Sequence, residues 1–294
     1  MAQEIGLIGL GAMGAGMGRN ILATAGGLHA LANRNRAVID GLVAAGALEH
    51  AGAADLARAC DVVVLCLPNS DVVEQVVNEM LPVLRPGQIV IDTGTSALPS
   101  TLKLAQTLSD KGVLFAEAPL TGGAQQAEEG QLGALVGAAP EVFARVAPVL
   151  DLFCSSVQHF GPVGAGAKAK FVNNYMVMGI AALVTEAFHT AAEEGLDWSK
   201  LYDVVTRGSA SSGVLDRVIG NAKDGDFMGY VFSVENAAKD MRYIADMQEQ
   251  EGHATPLSRA VHDLFQHAVE QGHGARRLSE LLRPEVRTRL FAEE

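Results

Sequence analysis

Ile5-Gly6-Leu7-Ile8-Gly9-Leu10-Gly11-Ala12-Met13-Gly14 is a short apolar run that passes directly into G-x-G-x-x-G. The run reads as a buried strand and the residues after it as a helix. Each glycine then has a distinct task. Gly9 allows the tight turn out of the strand, Gly11 lets the backbone approach a pyrophosphate, and Gly14 allows close helix–strand packing. The exposed N–H groups of the helix start, at Ala12 and Met13, would face the phosphates. The motif alone is weak evidence. Its context strengthens it, because a second strand ends about twenty residues further on, where such folds read the ribose of the coenzyme.

That second run, His29 to Asn33, continues as Arg34-Asn35-Arg36. A carboxylate at the position of Asn33 would accept from a ribose 2′-OH and repel a 2′-phosphate. Here the residue is neutral and Arg34 follows it. A guanidinium pairs with phosphate and stacks on adenine. NADP is therefore the expected coenzyme, with NAD possible.

Further apolar runs recur at Asp61–Leu67, Ile89–Asp92, Val113–Ala116, Leu132–Val136 and Val157–Phe160. Stretches of helical spacing, such as Ser70–Leu84 and Pro99–Lys111, lie between several of them. Continuous apolar strands alternating with helices predict a mostly parallel sheet covered on both faces. Leu67-Pro68, and Thr95 in Asp92-Thr93-Gly94-Thr95, fall at predicted strand ends, where such sheets bind ligands; both are expected to touch the coenzyme.

The character changes at Gly161-Pro162-Val163-Gly164-Ala165-Gly166. A long helix is expected from Lys168 to Glu194, followed by helical segments at Asp197–Arg207, Ser211–Ala222, Ser233–Glu251 and Pro256–Gln271. The predicted architecture is α/β: a Rossmann-type domain over residues 1–163, joined through the long helix to an all-helical domain over 164–294.

Composition narrows the partners. The chain has 294 residues, 22 Lys and Arg against 34 Asp and Glu, and a net charge of −12. Such a chain repels polyanions, so neither nucleic acid nor an anionic membrane surface is expected as a partner. The N-terminus has no basic segment ahead of an apolar one, and the apolar stretch Met176–Val184 is short for a membrane span. Cys60, Cys66 and Cys154 are odd in number and widely spaced, which suggests reduced thiols and a cytoplasmic setting. No metal-ligand spacing is visible and no metal is expected.

Lys170 and Asn174 are the candidate catalytic pair. They stand four residues apart in Lys170-Phe171-Val172-Asn173-Asn174 and so share one helix face. A lysine near a nicotinamide can give a proton to a carbonyl oxygen as hydride reaches carbon. In the reverse direction it must act as a base, helped by partial burial and by a second cation, for which Lys239 is the candidate. Ala118-Pro119-Leu120-Thr121-Gly122-Gly123 places a hydroxyl and two glycines at a strand end. Exposed N–H groups there would suit a substrate carboxylate.

These motifs, in this order, resemble the β-hydroxyacid dehydrogenase family, which includes 3-hydroxyisobutyrate dehydrogenase and the tartronate, succinic and glyoxylic semialdehyde reductases. The resemblance spans nearly the whole chain. It implies hydride transfer between NAD(P) and a small anionic hydroxy acid or semialdehyde, with Lys170 as acid and base. Asn174 would hold substrate or Lys170, and Thr121, Gly122 and Gly123 would bind the substrate carboxylate. Lys239 and Thr95 would lie beside the coenzyme, and the helical domain would make a homodimer or homotetramer. Thr121 replaces the family's usual Ser, and Glu117 stands where Asp is commoner. The rival readings are an imine-reductase-like enzyme, disfavoured by Lys170, and a non-catalytic nucleotide-sensing module, disfavoured by the intact Lys170, Asn174 and Lys239.

Overall fold

The computed structural model describes residues 3–31, 36–252 and 255–286. Asn33 and Arg34 lie outside the described residues. The chain divides into two compact units, Met1–Lys170 and Phe171–Glu294.

The first unit alternates strand and helix as its sequence pattern predicts. In chain order it contains β1 (Ile5–Ile8), α1 (Ala12–Ala25), β2 (His29–Leu31), α2 (Arg36–Ala44), β3 (Leu48–Glu49), α3 (Ala53–Ala59), β4 (Val62–Leu65) and α4 (Ser70–Met80). Then follow β5 (Ile89–Asp92), α5 (Leu98–Ser109), β6 (Leu114–Glu117), β7 (Leu120–Thr121), α6 (Ala124–Glu128), β8 (Leu132–Gly137), α7 (Pro140–Leu150) and β9 (Cys154–Gly161). All nine strands join one sheet in the order β3-β2-β1-β4-β5-β6-β8-β7, with β9 paired to β8. Pairing is parallel from β3 through β6. It is antiparallel where β8 meets β6 and β7.

The central strands are buried on both sides, which is why they read as unbroken apolar runs rather than alternating ones. Leu7, Val62, Val64, Ile89 and Ile91 pack in one cluster; Leu56, Val63, Leu65, Val90 and Leu108 pack in another. Each such side chain contributes roughly 1.5–3 kcal/mol on burial. The strand order reverses beside β1, and open α/β sheets bind ligands at the carboxyl ends of strands at that point.

The short strands β3 and β7 carry no run long enough to signal them. The helix α8 (Ala165–Glu193) starts at Ala165, ahead of the expected Lys168. Its first residues, Ala165 to Lys170, belong to the first unit, which therefore extends past Gly164. By length and composition α8 could cross a membrane. It nevertheless buries the polar side chains of Asn174, Thr185 and His189.

The named elements of the second unit are helical: the rest of α8, then α9 (Trp198–Val205), α10 (Gly213–Ile219), α11 (Val234–Gln250) and α12 (Pro256–Ala268). Asp197, Ser212 and Ser233 cap α9, α10 and α11 through their side-chain oxygens. Polar N-caps of this kind satisfy first-turn N–H groups and explain why these helices start where they do.

Candidate active site

Three loops meet at the carboxyl ends of β1, β4 and β5. Gly9 has φ +102°, a conformation that side chains avoid, and an added Cβ would stand 2.2 Å from the Cys66 carbonyl oxygen. Gly14 closes against the same turn, since its Cβ would lie 1.9 Å from the Gly9 oxygen. Gly94 sits on the Leu67 carbonyl in the same way, at 3.0 Å. Asp92 clamps this third loop: its Oδ1 accepts from the Gly94 N–H at 2.9 Å and its Oδ2 from the Ser96 hydroxyl at 2.6 Å. Gly9, Leu67 and the Thr95 loop are thereby brought together. Pro68 is exposed beside them and Thr95 half-buried.

Gly11 differs from its neighbours. It is exposed, and nothing lies within 4 Å of where its Cβ would be. It precedes α1, whose start has no side-chain cap and no acid in its first turn. The N–H groups of Ala12 and Met13 therefore stand at an open cradle with positive partial charge. Those residues fit the pyrophosphate of a dinucleotide.

Cys66 lies under this turn. Burial pushes its thiol up to about 11, so it stays a neutral packing group rather than a nucleophile. Arg36 is engaged on the surface by Asp40 and Glu49, and these bonds raise its pKa further.

Thr121 ends β7, and its hydroxyl donates to the Gly133 carbonyl at 3.5 Å. Residue 133 must be glycine for this, because a Cβ there would stand 2.4 Å from the Thr121 oxygen. Gly122 turns the chain with φ +105°. The Gly123 N–H is already taken, donating to Gln126 Oε1 at 2.9 Å. Of the N–H groups expected to face a carboxylate, that one is satisfied within the protein. The i,i+3 spacing of Gly123 and Gln126 is a helix-start pattern and was a readable signal.

Helix α6, which follows, docks on α1. The Gly16 Cβ would lie 2.5 Å from the Ala127 backbone, and Asn20 Nδ2 donates to the carbonyls of Gly16, Ala127 and Glu128.

Lys170 belongs to the same unit as these loops. Its Nζ donates to the Leu120 carbonyl at 2.7 Å, one residue before Thr121. The turn of α8 beneath it is held by Glu117 at the end of β6. One carboxyl oxygen, Oε1, accepts from the N–H of Gly164 at 2.6 Å and of Gly166 at 3.1 Å. Glu117 is 2% exposed. Burial pushes its carboxyl up to about 7, although the backbone donors oppose the shift. No spacing along the chain points to this long-range partner.

In the second unit, Asn174 is buried, and its Nδ2 donates to Asp240 Oδ2 at 2.6 Å. Its Oδ1 accepts from Asn173 at 3.1 Å. Lys239 Nζ lies 3.2 Å from Asp240 Oδ1 and 5.5 Å from the centre of the Tyr243 ring. Asp240 thus joins Asn174 to Lys239, a link that their separation in sequence concealed. Among the described residues no cluster of His, Cys, Asp and Glu is arranged to hold a metal.

A doubly wound sheet with an open glycine cradle at its switch point, and a lysine beside a neighbouring strand end, defines a nucleotide-dependent oxidoreductase. Comparison with known proteins gives the family. Residues 4–161 match the NAD-binding domain of 6-phosphogluconate dehydrogenase, and residues 164–284 match the corresponding family model of NADP-dependent 3-hydroxyisobutyrate dehydrogenase. The chain is 30% identical to an L-threonate dehydrogenase of Cupriavidus necator, over 93% of each chain. A solved 3-hydroxyisobutyrate dehydrogenase of Salmonella typhimurium superposes with TM-score 0.87 at 27% identity, covering 96% of this chain and 99% of that one. The Mycobacterium tuberculosis 3-hydroxyisobutyrate dehydrogenase, solved with L-serine, gives TM-score 0.84 at 26% identity, covering 96% and 98%. The chain belongs to the β-hydroxyacid dehydrogenase family. It is an NAD(P)-dependent dehydrogenase that acts on the hydroxyl group of a hydroxy acid.

Proposed function

We propose that the chain interconverts a small β-hydroxy acid and its semialdehyde, with Lys170 moving the alcohol proton. The observation that carries this reading is the 2.7 Å bond from Lys170 to the Leu120 carbonyl, immediately before Thr121. A backbone carbonyl only accepts, so this bond fixes the line along which the ammonium is held, at the strand end beside Thr121. Bound nicotinamide supplies the hydride chemistry, taking hydride from the alcohol carbon or returning it to the carbonyl carbon. In reduction Lys170 gives its proton to the carbonyl oxygen; in oxidation, as the neutral amine, it removes the hydroxyl proton.

Thr121 and Gly122 are suited to the substrate carboxylate, through a hydroxyl and a turn with exposed backbone. Asn174 would orient the substrate hydroxyl or Lys170, its own amide held by Asp240. Lys239 would lie beside the coenzyme. Gly9, Gly11, Ala12, Met13 and Gly14 would hold the pyrophosphate, with Leu67, Pro68 and Thr95 lining the nicotinamide half. The pairing of neutral Asn33 with Arg34 supports NADP over NAD. The substrates in the names of two relatives, L-threonate and 3-hydroxyisobutyrate, are both four-carbon hydroxy acids and support a small substrate. Val172, Met176 and Leu183 form an exposed apolar stripe along α8, which supports self-association of the helical domain as a dimer or tetramer.

The test is Lys170→Ala, assayed with short hydroxy acids and semialdehydes and both coenzymes. Turnover is expected to vanish while NADPH fluorescence titration still gives near-normal binding. Turnover that survives the substitution would remove Lys170 from the chemistry.

A further inference from the structure

Gly164 and Gly166 form a second G-x-G at a helix start, and this one is already full. A Cβ on Gly166 would stand 2.3 Å from the Leu135 carbonyl oxygen. A Cβ on Gly137, opposite Glu117 on β8, would stand 1.9 Å from Glu117 Oε1 and 2.8 Å from the Gly166 nitrogen. The three glycines therefore leave a slot the width of a carboxyl group between β6, β8 and the first turn of α8. Glu117 occupies it. Its Oε1 is bound by two backbone N–H groups, while Oε2 is buried with no hydrogen-bond partner. A buried polar atom without a partner is destabilising, because it has lost water and gained nothing.

A stability role alone is poorly served by this arrangement. A medium-sized apolar side chain would fill the slot without the orphaned oxygen. What an apolar residue cannot do is accept from Gly164 and Gly166 together. That pair of hydrogen bonds sets where α8 begins and therefore its rotational phase. Lys170 follows Gly166 by four residues, about one turn, so it rises from the same side of the helix as the N–H that Glu117 holds. Lys170 is then tied at its far end to the Leu120 carbonyl. Glu117 and Leu120 flank Ala118-Pro119 on the same short segment. One segment of chain thus grips the helix at its first turn and the lysine at its tip.

We propose that Glu117 is the positioning residue for Lys170. Its carboxyl oxygen sets the phase of the first turn of α8, and so brings the Lys170 amine to the strand end beside Thr121. This inference rests on the reading of Lys170 as the proton carrier. Reactions of this kind are sensitive to placement: a shift of about 1 Å can cost roughly a hundredfold in rate.

The test is a graded series at position 117, with rates expressed per coenzyme-binding site counted by NADPH fluorescence titration. Glu117→Gln keeps an oxygen of the same reach but a weaker, neutral acceptor, and is expected to lower kcat three- to tenfold. Glu117→Met keeps length and apolar volume but accepts nothing, and is expected to lower kcat thirtyfold or more. In both, Kd for NADPH should stay within twofold of the parent, and KM for the hydroxy acid should change less than kcat. A purely structural role would reduce the number of binding sites and leave the rate per site unchanged. A folded Met variant with kcat within twofold of the parent overturns the proposal. If the Met variant does not fold, parent-like kcat in the Gln variant overturns it instead. Lys170→Ala run alongside separates the two ideas. Loss of turnover there with full rates at both position-117 variants refutes only the role of Glu117. Survival of turnover in Lys170→Ala refutes the underlying reading.

Discussion

The chain contains two G-x-G turns at helix starts, and they have opposite fillings. At Gly9–Gly11 the second glycine faces empty space. At Gly164–Gly166 the second glycine is pressed against Leu135, and the N–H groups bind the protein's own Glu117. Both present N–H groups near the start of a helix to an oxygen acceptor. On the proposed function, the first leaves that place to the diphosphate of the coenzyme. The second supplies a buried carboxyl and uses it to seat a lysine. The shared motif therefore identifies a cradle for an oxygen acceptor, and only the surrounding volume says whose acceptor it holds.

The largest expected effect lies beyond the second turn. Lys170→Ala should lower kcat by about a thousandfold or more, since it removes the proton carrier outright, with coenzyme affinity nearly unchanged. The next effect tests the contrast between the turns directly. Gly166→Ala forces a Cβ into the Leu135 carbonyl, and should destabilise the protein by roughly 3 kcal/mol in denaturant titration. Gly11→Ala meets no atom, so stability should change by less than about 0.5 kcal/mol while Kd for NADPH rises tenfold or more. If Gly11→Ala proved as destabilising as Gly166→Ala, the two turns would not differ as described.

A third expectation concerns pH. The Glu117 carboxyl stands at about 7 in the fold against 4.5 unfolded. A carboxyl raised by folding stabilises the native state while both forms are protonated. That contribution is present below about 4.5 and fades as pH rises to about 7, by roughly 3 kcal/mol in total. Thermal unfolding of Glu117→Gln should therefore gain on the parent between pH 4.5 and pH 8. A difference in Tm independent of pH would show that Glu117 does not titrate in this window.

The smallest expected effect belongs to the coenzyme end. Arg34→Ala should raise KM for NADPH tenfold or more and leave NADH nearly unchanged, as expected for loss of one charge-assisted bond to a 2′-phosphate. Equal changes for both coenzymes would remove the 2′-phosphate reading.

The parts of this architecture that could be read in advance are those whose cause is local. β1, β4 and β5 are apolar because both sheet faces are covered, and a buried run announces itself. The first G-x-G-x-x-G is contiguous, and so is the Lys170-to-Asn174 spacing. The hidden parts depend on partners far along the chain. Glu117 meets Gly164 and Gly166 across the excursion β7–α6–β8–α7–β9, and Asn174 meets Asp240 from another helix. Glu117 could be seen only as a departure from a commoner Asp, with no consequence attached. β7 escaped notice because two residues show no alternation. The start of α8 is not legible because Gly164-Ala165-Gly166 reads as a loop, and only the distant Glu117 supplies an acceptor for its N–H groups.

Asn20 offers a different lesson. Its side-chain amide clasps the carbonyls of Gly16, Ala127 and Glu128, pinning the helix after the diphosphate turn to the helix after Thr121-Gly122-Gly123. The two recognition segments therefore share a common fastener. An engineer who redesigns the Thr121 loop for a bulkier acid will disturb α6 first and α1 with it. Selection for a new substrate should accordingly register as drift in coenzyme affinity, and second-round repairs should accumulate around Gly16, Asn20 and Glu128 rather than in the substrate loop itself.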